Sequence, residues 1–393
     1  MRLAIVVSHP IQYHAPLFRE LARRIDLVVY FAHRVAGLDQ AQAGFGVEFE
    51  WDVNILDGYP HVFLNNVAKR PSLDRFDGCD TPEIGAHLAQ GRFDAVLVLG
   101  WHLKAYLQAI FAAKRMGLFL LGRGDSQLET PRSALKKTIN AALYHGFLRL
   151  FDCALYVGKR SYAYWRHYHF PESRMFLSPH CVDNERFGHY GSAASGAAFR
   201  ARLGLDQRAK VLLFAGKLMP FKRPLDVVDA AALLKQAMGA TSVLVAGSGE
   251  LQTALGERAK LLNVPLYQLG FCNQSEMPAV YAASDVLVLP SDGRETWGLV
   301  ANEALACGRP IILSDAVGAG PDLIGAHTGR SFPVANIPAL AQAIATVLDG
   351  LPSSGGIVAK SRAYSPSAAA DGVEQALEML RAGERSLAAR TTP

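Results

Sequence analysis

Short runs of β-branched and leucine residues alternate with longer amphipathic stretches along the whole chain, and this alternation most restricts what it can fold into. In the first half the pattern predicts strands at Leu3–Val7, Leu27–Phe31, Ala95–Leu99, Leu118–Leu121, Ala154–Val157 and Met175–Leu177. Helical patterns lie between several of them, as at His14–Arg24 and Lys104–Met116. The second half repeats the scheme, with strands expected at Val211–Ala215, Ser242–Ala246, Leu266–Leu269, Val286–Leu289 and Pro310–Leu313. Helices are expected there at Pro224–Ala237, Leu251–Leu262, Met277–Ala283, Thr296–Ala306 and Ile337–Leu348. Such alternation implies α/β architecture: parallel sheets, right-handed crossovers and helices on both faces. The 393 residues suit two doubly wound domains. Residues 188–200, small and without periodicity, read as a linker between a domain over 1–187 and another over 201–367. Residues 368–393 are expected to be helical and able to pack back on the N-terminal domain. Ligands of doubly wound sheets sit at the carboxyl ends of the strands, so the cleft between the domains is where a site is expected.

Composition narrows the function classes. Half the residues are hydrophobic and 19% are charged, which makes the chain globular. Forty lysines and arginines against 35 acids leave a mild +5, which allows anionic small molecules or lipids but does not demand nucleic acid. The five cysteines (Cys79, Cys153, Cys181, Cys272, Cys307) are scattered, odd in number and without a C-x-x-C pair. That argues against a disulfide framework and a zinc site and favours a reducing compartment. The first residues read as a strand rather than a signal peptide, and no apolar run approaches the ~20 residues of a membrane span. The expectation is a cytoplasmic protein, with a peripheral membrane contact left open. From Arg132 to Arg166 seven basic residues face the single acid Asp152, and Leu135, Ile139, Leu143 and Phe147 recur every four positions. That stripe suits either a membrane-surface helix or an ordinary helix burying its apolar side in the core.

The chemistry-bearing constellation lies in the second half. Strand Val211–Ala215 ends in Gly216-Lys217, followed by Lys222 and Pro224. A glycine lets the chain turn at the strand end, and two lysines five apart can reach one anionic group beside a helix N-terminus. A diphosphate fits, because its charge needs neutralising as it leaves. Further on, Glu295-Thr296-Trp297-Gly298-Leu299 leads to Glu303 within an apolar segment. With a helix starting near Thr296, Glu295 stands at its entrance beside free amides. Glu303 then falls two turns on, near the same face. Two carboxylates so spaced can accept hydrogen bonds from two hydroxyl-bearing rings of one extended ligand.

Here the sequence resembles the retaining glycosyltransferases of GT-B fold, family four. Gly216-Lys217 with Lys222, and Glu295 seven residues ahead of Glu303, match the family's motifs. The surroundings also match: Val245-Ala246-Gly247-Ser248-Gly249-Glu250, Leu269-Gly270-Phe271, Tyr281-Ala-Ala-Ser-Asp285 and Pro290-Ser291. The resemblance is specific over about residues 210–325 and looser before. It implies a sugar moved from a nucleoside diphosphate sugar, a UDP-sugar ahead of a GDP-sugar, to an acceptor hydroxyl with retention. The acceptor would be a carbohydrate, a lipid-linked or a small molecule. Lys217 and Lys222 would hold the diphosphate, Glu295 the hydroxyls of the transferred sugar, and Glu303 the ribose. Backbone at Phe271 and Cys272 would border the base, and amides of Thr296, Trp297, Gly298 and Leu299 would add to phosphate and sugar binding. No cofactor and no metal are implied, and the sequence has no D-x-D element.

The N-terminal half is less determined. His9, Gln12 and His14 follow the first strand, where the family has a glycine-rich loop; donor contact, acceptor contact and a purely structural role all remain open. His102 follows another strand end. Relatives carry a histidine near 122–126, where this chain has Arg123 and Asp125. Asp125 could orient the sugar or assist proton removal, and Arg123 could grip an acidic acceptor. Two other classes compete: a sugar-nucleotide epimerase of the same plan and a non-catalytic sugar-nucleotide-binding protein. The first would need acid/base groups on both faces of the sugar, and the second could dispense with Glu295. An NAD-dependent oxidoreductase is disfavoured, because Gln252 stands where the dinucleotide fingerprint after Gly247 and Gly249 needs glycine.

Overall fold

The computed structural model describes residues 1–34, 48–131, 143–239, 241–350 and 354–391. Two parallel sheets form its frame. The first has seven strands, β1 (Leu3–Val7), β2 (Leu27–Phe31), β3 (His61–Phe63), β4 (Ala95–Val98), β5 (Phe119–Gly124), β6 (Cys153–Tyr156) and β7 (Met175–Leu177). Their order across the sheet is β3-β2-β1-β4-β5-β6-β7. The second has six, β8 (Lys210–Ala215), β9 (Thr241–Ala246), β10 (Leu266–Gly270), β11 (Val286–Leu289), β12 (Ile311–Ser314) and β13 (Gly329–Phe332), ordered β10-β9-β8-β11-β12-β13.

Side-chain alternation explains the apolar runs. On β1, Leu3, Ile5 and Val7 join one core while Ala4 and Val6 join the core on the other face. On β8, Val211, Leu213 and Ala215 face one layer and Leu212 and Phe214 the opposite one. A strand covered by helices on both sides must be apolar throughout. The edge strands β3 and β13 escape the sequence pattern because their residues are mostly half-buried or exposed.

The expected linker is corrected. Helices Asn184–Tyr190 and Ala193–Arg202 occupy this stretch, with Asp183 and Ser192 accepting from the amides of Arg186 and Ser195 as N-caps. The small residues serve close packing rather than flexibility: a Cβ on Gly196 would stand 2.3 Å from the carbonyl oxygen of Ala282.

The long helix Pro366–Thr391 returns to the first sheet. Ala369, Ala370, Val373, Ala376, Leu377 and Leu380 are buried with β1 and the helix Ala15–Ala22. Arg24 donates to Asp371 at 2.7 Å and to Glu374 at 2.9 Å. A Cβ on Gly372 would lie 2.0 Å from the Leu177 carbonyl oxygen, so only glycine fits this crossing. Gly372→Ala is therefore expected to cost about 1–3 kcal/mol through overpacking, seen as a lower melting temperature. Gly383→Ala, on the same helix with nothing near its Cβ, should be neutral or stabilising by about 0.5–1 kcal/mol.

Candidate active site

Both sheets turn the carboxyl ends of their strands toward one cleft of about 770 Å³. Residues from each half line it, among them His9, Gln12, Tyr13 and Asp125 from the first and Lys217, Lys222, Glu295 and Trp297 from the second.

After β8 the chain turns at Gly216, whose φ of +141° suits glycine, and enters a short 3-10 turn over Pro220–Lys222. The Lys222 ammonium pairs with the Glu295 carboxylate, and the Ser291 hydroxyl donates to the same oxygen at 3.2 Å. Burial lowers the pKa of Lys217, and the neighbouring Lys222 charge lowers it further, with Asp74 opposing. Two cations held this close favour an anion between them.

The loop after β11 departs from expectation. The helix begins at Val300, not Thr296, so Glu295 lies in the loop and shares no helical face with Glu303. Gly298 takes φ +97°, and the carbonyls of Glu295 and Trp297 accept from the amides of Gly318 and Ala319. These outside partners hold the segment open. Among the described residues the amides of Thr296, Trp297, Gly298 and Leu299 donate to no protein acceptor. Thr296 through Leu299 all line the cleft. Glu303 is only 2% exposed; the Tyr281 hydroxyl donates to its Oε2 at 2.6 Å and its Oε1 has no partner. Burial pushes its pKa up to about 7, against the Tyr281 hydroxyl and the charge of Arg186.

In the first half, His9 lies at the cleft with Nδ1 2.9 Å from the Ser8 hydroxyl. Burial, helped by His33, lowers its pKa to about 4. The buried Oε1 of Gln12 has no partner. Tyr13 has its pKa raised by burial and then by Glu303. His14 lies behind the lining, its pKa driven down by burial and by Arg123. His102 also lies outside the lining, packed on Tyr106. Asp125 accepts from the Thr296 hydroxyl at 2.6 Å, joining the two halves. Arg123 corrects a sequence expectation. Its buried guanidinium donates to the carbonyls of Ser178 and Pro179 at 3.3 and 2.9 Å and to the Ser178 hydroxyl, so it is not placed to grip an acceptor.

Phe271 and Cys272 lie outside the lining as well. The Phe271 ring stacks on Phe49 at 4.0 Å, and this segment is tied across the halves by Asn273 to the Glu50 carbonyl at 2.7 Å and by Ser275 to Asp52. Tyr13, Trp51, Phe221 and His180 line the cleft without having been singled out from the sequence. The signal for His180 was available: it follows a strand end by three residues, as Asp125 follows another. Of the basic stretch, 132–142 lies outside the described residues. Leu143 is 63% exposed, whereas Phe147 packs into the aromatic core. Lys159 and Arg160 donate to carbonyls of Pro321, Asp315 and Ala316 in the second half, so part of this charge is engaged within the protein. Among the described residues no helix is long and apolar enough to cross a membrane, and no His, Cys, Asp and Glu cluster could hold a metal ion.

The family model described as glycosyl transferases group 1 matches residues 197–363. D-inositol 3-phosphate glycosyltransferase of Rhodococcus jostii (strain RHA1) is 37% identical over 147 residues, 34% of this chain and 31% of that protein. Glycogen synthase of Mycobacterium tuberculosis (strain ATCC 25618 / H37Rv) is 33% identical over 156 residues, 39% of this chain and 36% of that protein. The matched stretch thus spans about a third of the length of these curated relatives. The crystal structure of Anabaena HepE in complex with UDP superposes with a TM-score of 0.72 at 17% identity, over 96% of this chain and all of that one. Sucrose-phosphate synthase from Thermosynechococcus elongatus gives 0.70 at 18% identity, over 98% of this chain and 100% of that one. Residues 197–363 thus resemble the glycosyl transferases group 1, and the whole chain has the GT-B fold.

Proposed function

We propose that the protein is a retaining glycosyltransferase that moves a sugar from a nucleoside diphosphate sugar, a UDP-sugar ahead of a GDP-sugar, to an acceptor hydroxyl. The observation that carries this reading is one cleft wall holding Lys217, Lys222, the Glu295 carboxylate and the unpartnered amides of 296–299. The two ammoniums and the amides suit a departing diphosphate. Glu295 suits hydroxyls of the transferred ring, and the unpartnered oxygen of Glu303 suits the ribose. The complexes of the fold relative HepE with UDP and with UDP-glucose support a uridine donor. Retention is read as same-face attack, in which the leaving phosphate assists deprotonation of the acceptor. Neither the epimerase nor the non-catalytic reading gains a specific observation.

Thermal denaturation with UDP, GDP, ADP and dTDP tests this directly. A ligand bound by the folded state alone raises the melting temperature, by about 2.7 kcal/mol of stability at a hundred times Kd. UDP is expected to give the largest shift, and no shift with any of the four would overturn the reading. Glu295→Ala should lower turnover by about 100-fold or more while UDP affinity holds or improves, because Lys222 loses its internal partner. Steady-state kinetics and calorimetry on the same variant check both halves of that statement. In this reading Glu303 binds ribose hydroxyls as a carboxylate, and burial pushes its pKa up to about 7. UDP affinity is therefore expected to be full above pH 7 and to fall below it, by at most about tenfold per pH unit. Glu303→Gln should bind more weakly and lose this dependence.

A further inference from the structure

We infer that His180 contacts the substrate, holding with Asp125 a hydroxyl of the transferred sugar from the N-terminal side of the cleft. This rests on the donor reading above and adds the residue that completes its sugar end. His180 sits between β7 and the helix Asn184–Tyr190, and its backbone is pinned from both halves. Arg123 takes the carbonyls of Ser178 and Pro179 just before it. Asn302 donates to the carbonyl of His180 itself at 3.1 Å and accepts from the Trp297 indole at 2.8 Å. The imidazole is thereby set against Trp297, with ring centroids 5.2 Å apart, and its Nε2 stands 3.9 Å from Asp125 Oδ2.

Several features point to a ligand. Three histidines line the cleft. His9 has the Ser8 hydroxyl at 2.9 Å and His33 has the Asn66 amide at 3.4 Å. Among the described residues His180 makes no side-chain hydrogen bond, since 3.9 Å is too long for one. Its side chain is 15% exposed, and it lines the cleft. Burial and the Arg123 charge keep the ring neutral, so it offers one donor and one acceptor. Asp125 offers acceptors only. A sugar hydroxyl, which both donates and accepts, complements this pair: it donates to the carboxylate and accepts from the imidazole N–H. The Thr296 hydroxyl, next in sequence to Glu295, donates to Asp125 at 2.6 Å, which ties this pair to the Glu295 loop.

The test uses the UDP- or GDP-sugar that most raises the melting temperature of the native protein, and its bare nucleoside diphosphate. Calorimetry and kinetics are compared for native protein, His180→Ala and His180→Gln. His180→Ala is expected to bind the bare nucleotide within twofold of native, to lose about 3–10-fold in affinity for the sugar nucleotide, and to lose at least tenfold in kcat. His180→Gln, whose amide restores a donor and an acceptor, should recover part of that loss. Native behaviour of His180→Ala with both ligands would overturn the inference. So would equal loss of both ligands with a lowered melting temperature, which would make His180 a structural residue. If native protein itself binds no sugar nucleotide, the donor reading fails and this inference with it, an outcome distinct from both.

Discussion

Parallel strands cannot be joined by tight turns; each must be reached by a crossover, and so every strand in a sheet ends at the same edge. Both sheets here are wholly parallel, and their carboxyl ends converge on one cleft. The turns that leave these ends therefore line the cleft: Ser8–Tyr13 after β1, Asp125 after β5, His180 after β7, Gly216–Lys222 after β8 and Ser291–Leu299 after β11. The strands contribute little beyond rigid placement. Loop residues held by a rigid frame are what a site of this kind needs.

The cleft mixes groups that the fold keeps charged with groups it keeps neutral. On one side Lys222 neutralises Glu295 while Lys217 stands close enough to be repelled by it. On the other, burial keeps His9 and His180 uncharged, His180 beside a buried Arg123. On the donor reading proposed above, the cationic wall takes the diphosphate and the neutral polar groups recognise hydroxyls. Glu303 lies deeper, where removal from water holds its proton more tightly than in an exposed carboxyl.

Much of the frame was legible from the sequence because buried parallel strands must be apolar on both faces. All eleven expected strands occur, most within one residue of their expected ends, whereas β3 and β13 lie at sheet edges and carry no such pattern. Lys217, Lys222, Glu295 and Thr296–Leu299 were legible because they follow strand ends in a recognisable spacing. What failed was what depends on contacts distant in sequence. The start of the helix at Val300 is set by Gly318 and Ala319, which take the carbonyls of Glu295 and Trp297. The glycine of 196 looks like a linker residue until Ala282 is seen against it. Arg123 and Phe271 show the same limit: each is engaged by a segment far along the chain, Ser178–Pro179 for one and Phe49 for the other.

The terminal helix has a mechanical consequence. The backbone passes from the first half to the second between β7 and β8, and returns ahead of Pro366, where the helix Pro366–Thr391 docks beside β7. Two bodies joined at one point can swivel in any direction. Joined at two neighbouring points, they retain chiefly one degree of freedom, rotation about the line through both. Any swing of one half against the other is thereby confined chiefly to one axis, the line through these two crossings.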